Sequence, residues 1–277
     1  MSFAPKQTDW RKLPTEARES FLAALQQRAT AVADNDRLSA VELAEACGIT
    51  PDDWQRELLL SDEKQIIENC SRQSGKSTIS GLKALHRILY TPESLVLVLS
   101  PSQRQSQETY RKIRDSYNML AGVPDVTLES SLKLELANGS RVQVLPGTEA
   151  TVRGFSGVSL LIVDEAARVS DDLYNSVRPM LAVSQGQIIL LSTPFGSRGF
   201  FWQEWAEGGP DWKRVKVTAD QCPRISKDWL EKERARIGDW WFSQEYQCAF
   251  VDSIEACFST ADIQAAITNE VEPLWKL

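Results

Sequence analysis

The chain is short of what a metal centre, a disulfide scaffold or a membrane span would need. It has one histidine, His86, and five cysteines (Cys47, Cys70, Cys222, Cys248 and Cys257), no two of them forming a Cys-x-x-Cys pair. A zinc site needs four clustered ligands, which this spacing does not provide. The cysteines read as reduced thiols, some of them buried, and nothing points to a disulfide. Cys70 stands apart because it falls in a loop motif described below, where a thiol would be open to reaction. No apolar run approaches the roughly 20 residues that a membrane helix requires. Residues 1–10 are polar and lack the apolar core of a secretory signal, and there is no internal repeat or low-complexity tract. These absences fit a soluble, intracellular protein without a membrane partner. Excess basic charge is missing too: 31 Lys and Arg against 38 Asp and Glu leave a net charge of −7, which argues against passive, charge-driven binding of nucleic acid. Arg104, Arg111, Lys112 and Arg114 do cluster at helical spacing. A solvated helix face is the simpler reading of them, and a local DNA contact is the other.

What is present suits one large α/β domain, alone or with a small appendage. The chain has 277 residues, 42% of them hydrophobic, enough for a sizeable core. Residues 1–49 read as a helical lead-in, with helices over 20–33 and 38–47, a stop at Gly48 and a new helix opened by Pro51. From residue 50 to 222 strands and helices alternate. Strands are expected at 64–69, 95–99, 160–163 and 188–191, with helices to about Tyr90 and over 103–120. The segments 132–136 and 141–145 alternate apolar and polar residues around Asn138-Gly139, a strong hairpin signal. Helix dominates from 226 to 246, within a C-terminal segment 223–277. Alternation of this kind implies a mostly parallel central sheet flanked by helices, with ligands bound at the carboxyl ends of the strands.

The motifs fall at those ends. Residues 70–78 read Cys-Ser-Arg-Gln-Ser-Gly-Lys-Ser-Thr, after a strand and before a helix. A phosphate loop needs that setting: backbone N–H groups and the helix N-terminus surround phosphate oxygens. Lys76 reaches the β- and γ-phosphates and Ser77 offers a hydroxyl to Mg²⁺. Gly75 permits close backbone approach. The usual pattern begins with glycine, where this chain has Cys70. A plain helix N-terminus capped by Ser74 is the competing reading. Residues 160–165, Leu-Leu-Ile-Val-Asp-Glu, are an apolar strand ending in two carboxylates, the Walker B arrangement. There Asp164 would hold Mg²⁺ and Glu165 would polarise the attacking water. Solvated acids at a strand end are the alternative, but two parts of one site agree here. Ser192-Thr193-Pro194 ends another strand, where a hydroxyl pair can sense hydrolysis or Pro194 merely breaks the strand. Gln55, beside Trp54, can pair with adenine or simply sit in a first helical turn. Arg153, and Arg72 inside the loop, can each stabilise charge developing on a transferring phosphoryl group or merely solvate a surface, and neither stands out.

In this order, Arg72-Gln73-Ser74-Gly75-Lys76-Ser77, Arg153-Gly154, Val163-Asp164-Glu165-Ala166 and Ser192-Thr193-Pro194 resemble the ATPase domain of large terminases. So do the Asn138-Gly139 hairpin and the run from Phe242 to Phe250. The resemblance spans residues 50–258. It implies a phosphate-loop NTPase fold of the RecA-like (ASCE) type, ATP and Mg²⁺ as cofactors, and hydrolysis coupled to translocation of double-stranded DNA into a viral procapsid. It also implies that residues 72–78, Gln55 and Thr193 contact nucleotide, with Thr193 in a coupling motif. Arg153 would be a finger inserted into a neighbouring subunit's site. The partners so implied are a homo-oligomeric ring, a pentamer, on the capsid portal, and a small terminase subunit, in the host cytoplasm. Large terminases usually continue into an RNase H-like nuclease domain. A chain ending at Leu277 leaves no room for it, so an isolated ATPase without DNA-cutting activity is expected. A helicase-like remodelling ATPase and a non-catalytic scaffold are the competing functions. The first lacks a second RecA-like domain, and the second conflicts with the intact Lys76, Ser77, Asp164 and Glu165.

Overall fold

The run Leu95-Val96-Leu97-Val98-Leu99 has no polar side, so it is stable only as a strand covered on both faces. The computed structural model, which describes residues 37–147, 154–251 and 265–267, places it there. The helix expected at 20–33 lies outside the described residues. In chain order the elements are α1 (Ala40–Ala46), α2 (Asp53–Leu60), β1 (Gln65–Cys70), α3 (Lys76–Tyr90), β2 (Leu95–Ser100), α4 (Gln103–Asn118), β3 (Val126–Ser130), β4 (Lys133–Leu136) and β5 (Arg141–Pro146). There follow β6 (Val158–Asp164), α5 (Asp171–Val177), β7 (Gln187–Ser192), α6 (Gly199–Ala206), β8 (Trp212–Val217) and α7 (Lys227–Glu245). The strands form an eight-stranded sheet in the order β3-β4-β5-β2-β6-β7-β1-β8. Pairing is parallel from β5 to β8, and β4 runs antiparallel to both β3 and β5.

Alternate side chains of the central strands feed two cores. Ile66, Val96, Val98, Leu160, Ile162, Ile189 and Leu191 meet α1 to α4 on one face. Ile67, Leu97, Leu99, Leu161, Val163, Ile188 and Leu190 meet Leu173, Tyr174, Phe200 and Phe201 of α5 and α6 on the other. Each such Leu or Ile contributes roughly 1.5–3 kcal/mol by leaving water. A smaller core behind β8 joins Cys70, Val217 and Cys222, with Trp54 packed against it. Ser39, Ser102, Ser170 and Ser226 cap their helices by accepting a backbone N–H.

Several boundaries differ from the sequence reading. Pro51 does not open α2: Asp52 is its N-cap, and Gln55 completes a capping box with it. The helix expected to reach residue 120 ends at Asn118. The two edge strands β3 and β8 carry no sequence signal strong enough to be expected. β3 is mostly exposed and β8 is rich in Lys and Arg, as edge strands are. The 226–246 helix is interrupted at Gly238, whose φ is 80°.

Glu68 of β1 is fully buried, and its Oε1 has no hydrogen-bond partner. Burial, aided by the Glu57 charge, pushes its carboxyl up to about 8. The folded state therefore holds a proton that the unfolded chain has lost, and stability falls as pH rises from about 4.5 through 8. Glu68→Gln mimics the protonated acid and is expected to flatten this fall, a difference on the order of a few kcal/mol at pH 8. Melting temperatures of both proteins from pH 5 to 8.5 check it. The difference between the profiles cancels His86, whose burial holds its pKa at about 4 and which destabilises only toward acid.

Candidate nucleotide site

Three parallel strands deliver the motifs to one edge of the sheet. β7 lies between β1, which runs into the loop at 71–75, and β6, which ends in Asp164. The registers pair Asn69 with Ser192 and Asp164 with Leu191. The loop, the Ser192-Thr193 pair and the acidic pair thus emerge side by side.

The loop is tied at its base and open at its crown. Ser71 N–H donates to Val217 O at 2.8 Å and Arg72 N–H to Glu245 O at 3.0 Å. From Gln73 to Ser77, no backbone N–H has a partner among the described residues. Gln73 (φ 60°) and Gly75 (φ 90°) adopt the left-handed region, which turns successive N–H groups inward as an anion cradle. Gly75, not Ser74, is the N-cap of α3, and the Ser74 hydroxyl is buried without a partner. The 15-residue α3 adds its positive N-terminal end. A row of unpartnered donors that runs from the loop into the first turn of α3 fits a polyphosphate.

The side chains converge on Lys76, which is 7% exposed. Its Nζ donates to Thr193 Oγ1 at 3.2 Å and lies 3.4 Å from Glu165 Oε1. Ser192 Oγ donates to Thr193 O at 2.8 Å and accepts from Ala167 N–H at 3.1 Å, fixing the turn after the acidic pair. Glu165 itself has φ 54° and ψ 41°, a conformation non-glycine residues adopt rarely and often at functional sites. Burial raises the Asp164 carboxyl above its ordinary value, opposed by a hydrogen bond with Ser77. Thr109 of α4 adds a long 3.4 Å contact to Asp164 Oδ2. No group of three or more His, Cys, Asp or Glu suited to a metal is found among the described residues. Magnesium does not need one: it commonly binds through one or two carboxylates, water and substrate phosphate, which Asp164 and Ser77 suit.

Other nominated residues are placed differently. The Gln55 amide is committed to the protein: Oε1 accepts from Asp52 N–H at 3.0 Å and Nε2 donates to Ser74 O at 3.0 Å. Arg72 pairs through Nε with Glu245 of α7. Arg153 lies outside the described residues. Cys70 is not the reactive thiol its position suggested, because complete burial pushes its pKa well up. Arg111 pairs with Glu108 and Arg114 with Glu129, as on a solvated helix face. Sequence reasoning missed Glu245, Arg224 and Thr109, all brought in by tertiary packing. Arg224 clamps Asp52 in a two-pronged ion pair, and only the N-cap position of Asp52 hints at it.

Fold and site together define a nucleotide-binding domain of the phosphate-loop class. The family model described as "Terminase large subunit, T4likevirus-type, N-terminal" matches residues 69–265. The chain belongs to the large terminase subunit family. It is 24% identical over 261 residues to the large terminase subunit of Thermus virus P23-45, covering 82% of this chain and 54% of that protein. The chain thus spans about half the length of the curated relatives it matches. Its fold resembles the large terminase ATPase domain of Thermus phage P74-26 (TM-score 0.64, 23% identity, 75% of this chain and 97% of that one). It also resembles the large terminase of a thermophilic bacteriophage solved with ADP (TM-score 0.63, 14% identity, 73% and 54%).

A methyl group at Gly75 would meet Gln55 Nε2 at 2.9 Å on a backbone with φ 90°. Gly75→Ala is therefore expected to lower stability by about 1–3 kcal/mol. Urea unfolding, monitored by tryptophan fluorescence, measures it.

Proposed function

We propose that this chain binds and hydrolyses ATP to drive translocation of double-stranded DNA into a viral procapsid. The observation that carries the reading is the meeting of Lys76, Thr193 and Glu165 from three different segments beneath a row of unpartnered backbone donors. The donors of residues 73–77 and the Lys76 ammonium bind the phosphates, with Thr78 just behind them on α3. Ser77 and Asp164 would hold magnesium, which neutralises charge on the β- and γ-phosphates. Glu165 accepts a proton from the attacking water. Thr193 touches the same ammonium as Glu165 and so feels the presence or loss of the γ-phosphate. Gln55 would meet adenine by giving up one of its present bonds to Asp52 or Ser74.

On this reading the domain works within a larger assembly. Family membership supports a role beside the capsid portal and other terminase components in the host cytoplasm. A pentameric ring, a small terminase subunit and a finger role for Arg153 extend the same reading. A core of 50–222 and a helical segment of 223–277 are its units. Arg72, held to α7 by Glu245, links them.

Steady-state ATP hydrolysis over a protein concentration series tests it. Glu165→Ala is expected to cost about 10²–10⁴ in turnover, the usual worth of a general base, while ADP binding survives. The rate per molecule should rise with concentration, and Arg153→Ala should remove that rise. Concentration-independent hydrolysis that survives Arg153→Ala would sink the finger. Hydrolysis that survives Glu165→Ala would sink the site.

A further inference from the structure

Ser74 O is the acceptor of two side-chain hydrogen bonds that arrive from opposite ends of the chain. Gln55 Nε2 reaches it from α2 at 3.0 Å. Arg224 Nη2 reaches it at 2.9 Å, from the segment between β8 and α7. The same guanidinium holds Asp52 with both prongs, Nη1 to Oδ1 at 2.8 Å and Nη2 to Oδ2 at 2.7 Å. Asp52 N–H in turn donates to Gln55 Oε1. The four groups form a closed circuit on the outside of the phosphate loop. It is partly sheltered, since the Asp52 side chain is only 12% exposed. The segment carrying Arg224 is itself anchored, because Cys222 is buried against Cys70 and Val217 and its Sγ lies 3.9 Å from Ser71 Oγ.

The consequence follows from peptide geometry. Ser74 C=O and Gly75 N–H belong to one planar trans unit and point in opposite directions. Two donors on the carbonyl hold it away from the phosphates. The Gly75 N–H, which has no partner among the described residues, is thereby turned to the other side. Were the peptide to flip, the loop would present a carbonyl lone pair to an anion instead of a donor.

We infer that Arg224 is a positioning residue, which with Asp52 and Gln55 locks the Ser74–Gly75 peptide in the donor orientation that a polyphosphate requires. The inference rests on reading this loop as a nucleotide site. It makes part of the anion affinity depend on a residue from outside the loop, and it acts on the phosphates, not on the base.

Titration calorimetry of the 277-residue chain with ADP and with inorganic tripolyphosphate tests this. Arg224→Ala is expected to weaken both ligands to a similar extent, about tenfold, the order of one lost charge-assisted hydrogen bond. Arg224→Lys keeps the charge but not the fork and should also weaken both. Asp52→Asn separates positioning from simple charge. It makes the protein less negative and keeps an N-cap acceptor, so bulk electrostatics favour tighter tripolyphosphate binding while the circuit predicts weaker binding. It also carries the test if Arg224→Ala does not fold. Tripolyphosphate bound by Asp52→Asn as tightly as by the wild type overturns the inference. Loss of ADP affinity with tripolyphosphate unchanged in the Arg224 variants overturns it as well, and moves Arg224 to the base. If the wild-type chain binds neither ligand, the nucleotide-site reading fails and the circuit with it.

Discussion

The level ends of three parallel strands are the constraint on which the rest of this site depends. β6, β7 and β1 are held in register by continuous parallel ladders, so their last residues share one edge. Lys76, Thr193 and Glu165 are far apart in the chain, yet the ladders bring their polar atoms within 3.2–3.4 Å. A slip of one residue in any ladder would turn that strand's side chains to the opposite face. The apolar alternation feeding two separate cores opposes any such slip, because every slipped strand would present its residues to the wrong layer.

Burial gives these polar groups their leverage. Lys76 and Asp164 are nearly inaccessible, so their interactions are screened far less than surface pairs. Each needs a partner there, since an isolated buried charge is costly. Lys76 has Thr193 and Glu165, and Asp164 has Ser77 and Thr109. The loop carries its own unmet polarity in the donors of residues 73–77. A polyanion satisfies that row of dipoles without moving the scaffold. A site so preorganised loses little to rearrangement when it is filled.

The legible parts of the sequence were those in which one short segment carries a whole physical requirement. Leu95–Leu99 and Leu160–Val163 are apolar on both sides and must be buried strands. Gly75-Lys76-Ser77 supplies a left-handed turn, a cation and a hydroxyl in adjacent positions. Illegible features depend on partners distant in sequence or on polar edges. β3 and β8 are edge strands whose exposed or charged side chains hide their periodicity. Cys70 looked accessible because it occupies a loop-glycine position, but β1 runs one residue further than its pattern suggests and buries the thiol. Glu245 lies in a run that resembles the family, but nothing in that run says which residue it will meet until folding places it on Arg72. Gln55 has the composition of an ordinary first turn, and its use of both amide ends is visible only once α2 packs against the loop.

The same contacts explain why the C-terminal segment matters to a loop that precedes it by so many residues. One flank of the loop is fixed by Glu245, which accepts the Arg72 side chain and whose own carbonyl accepts the Arg72 N–H. The other flank is fixed by Arg224 through Ser74 O. Between these two attachments α7 contains a single glycine, Gly238, whose left-handed φ interrupts the helix. The loop is therefore tied on one flank to α7 and on the other to the segment between β8 and α7, with its donor row between. Displacing Glu245 of α7 would release the Arg72 flank of the loop, while Arg224, on the segment before α7, still holds the Ser74 flank. α7 thus meets the loop through named hydrogen bonds to Arg72, and the segment before it meets the loop at Ser74 O.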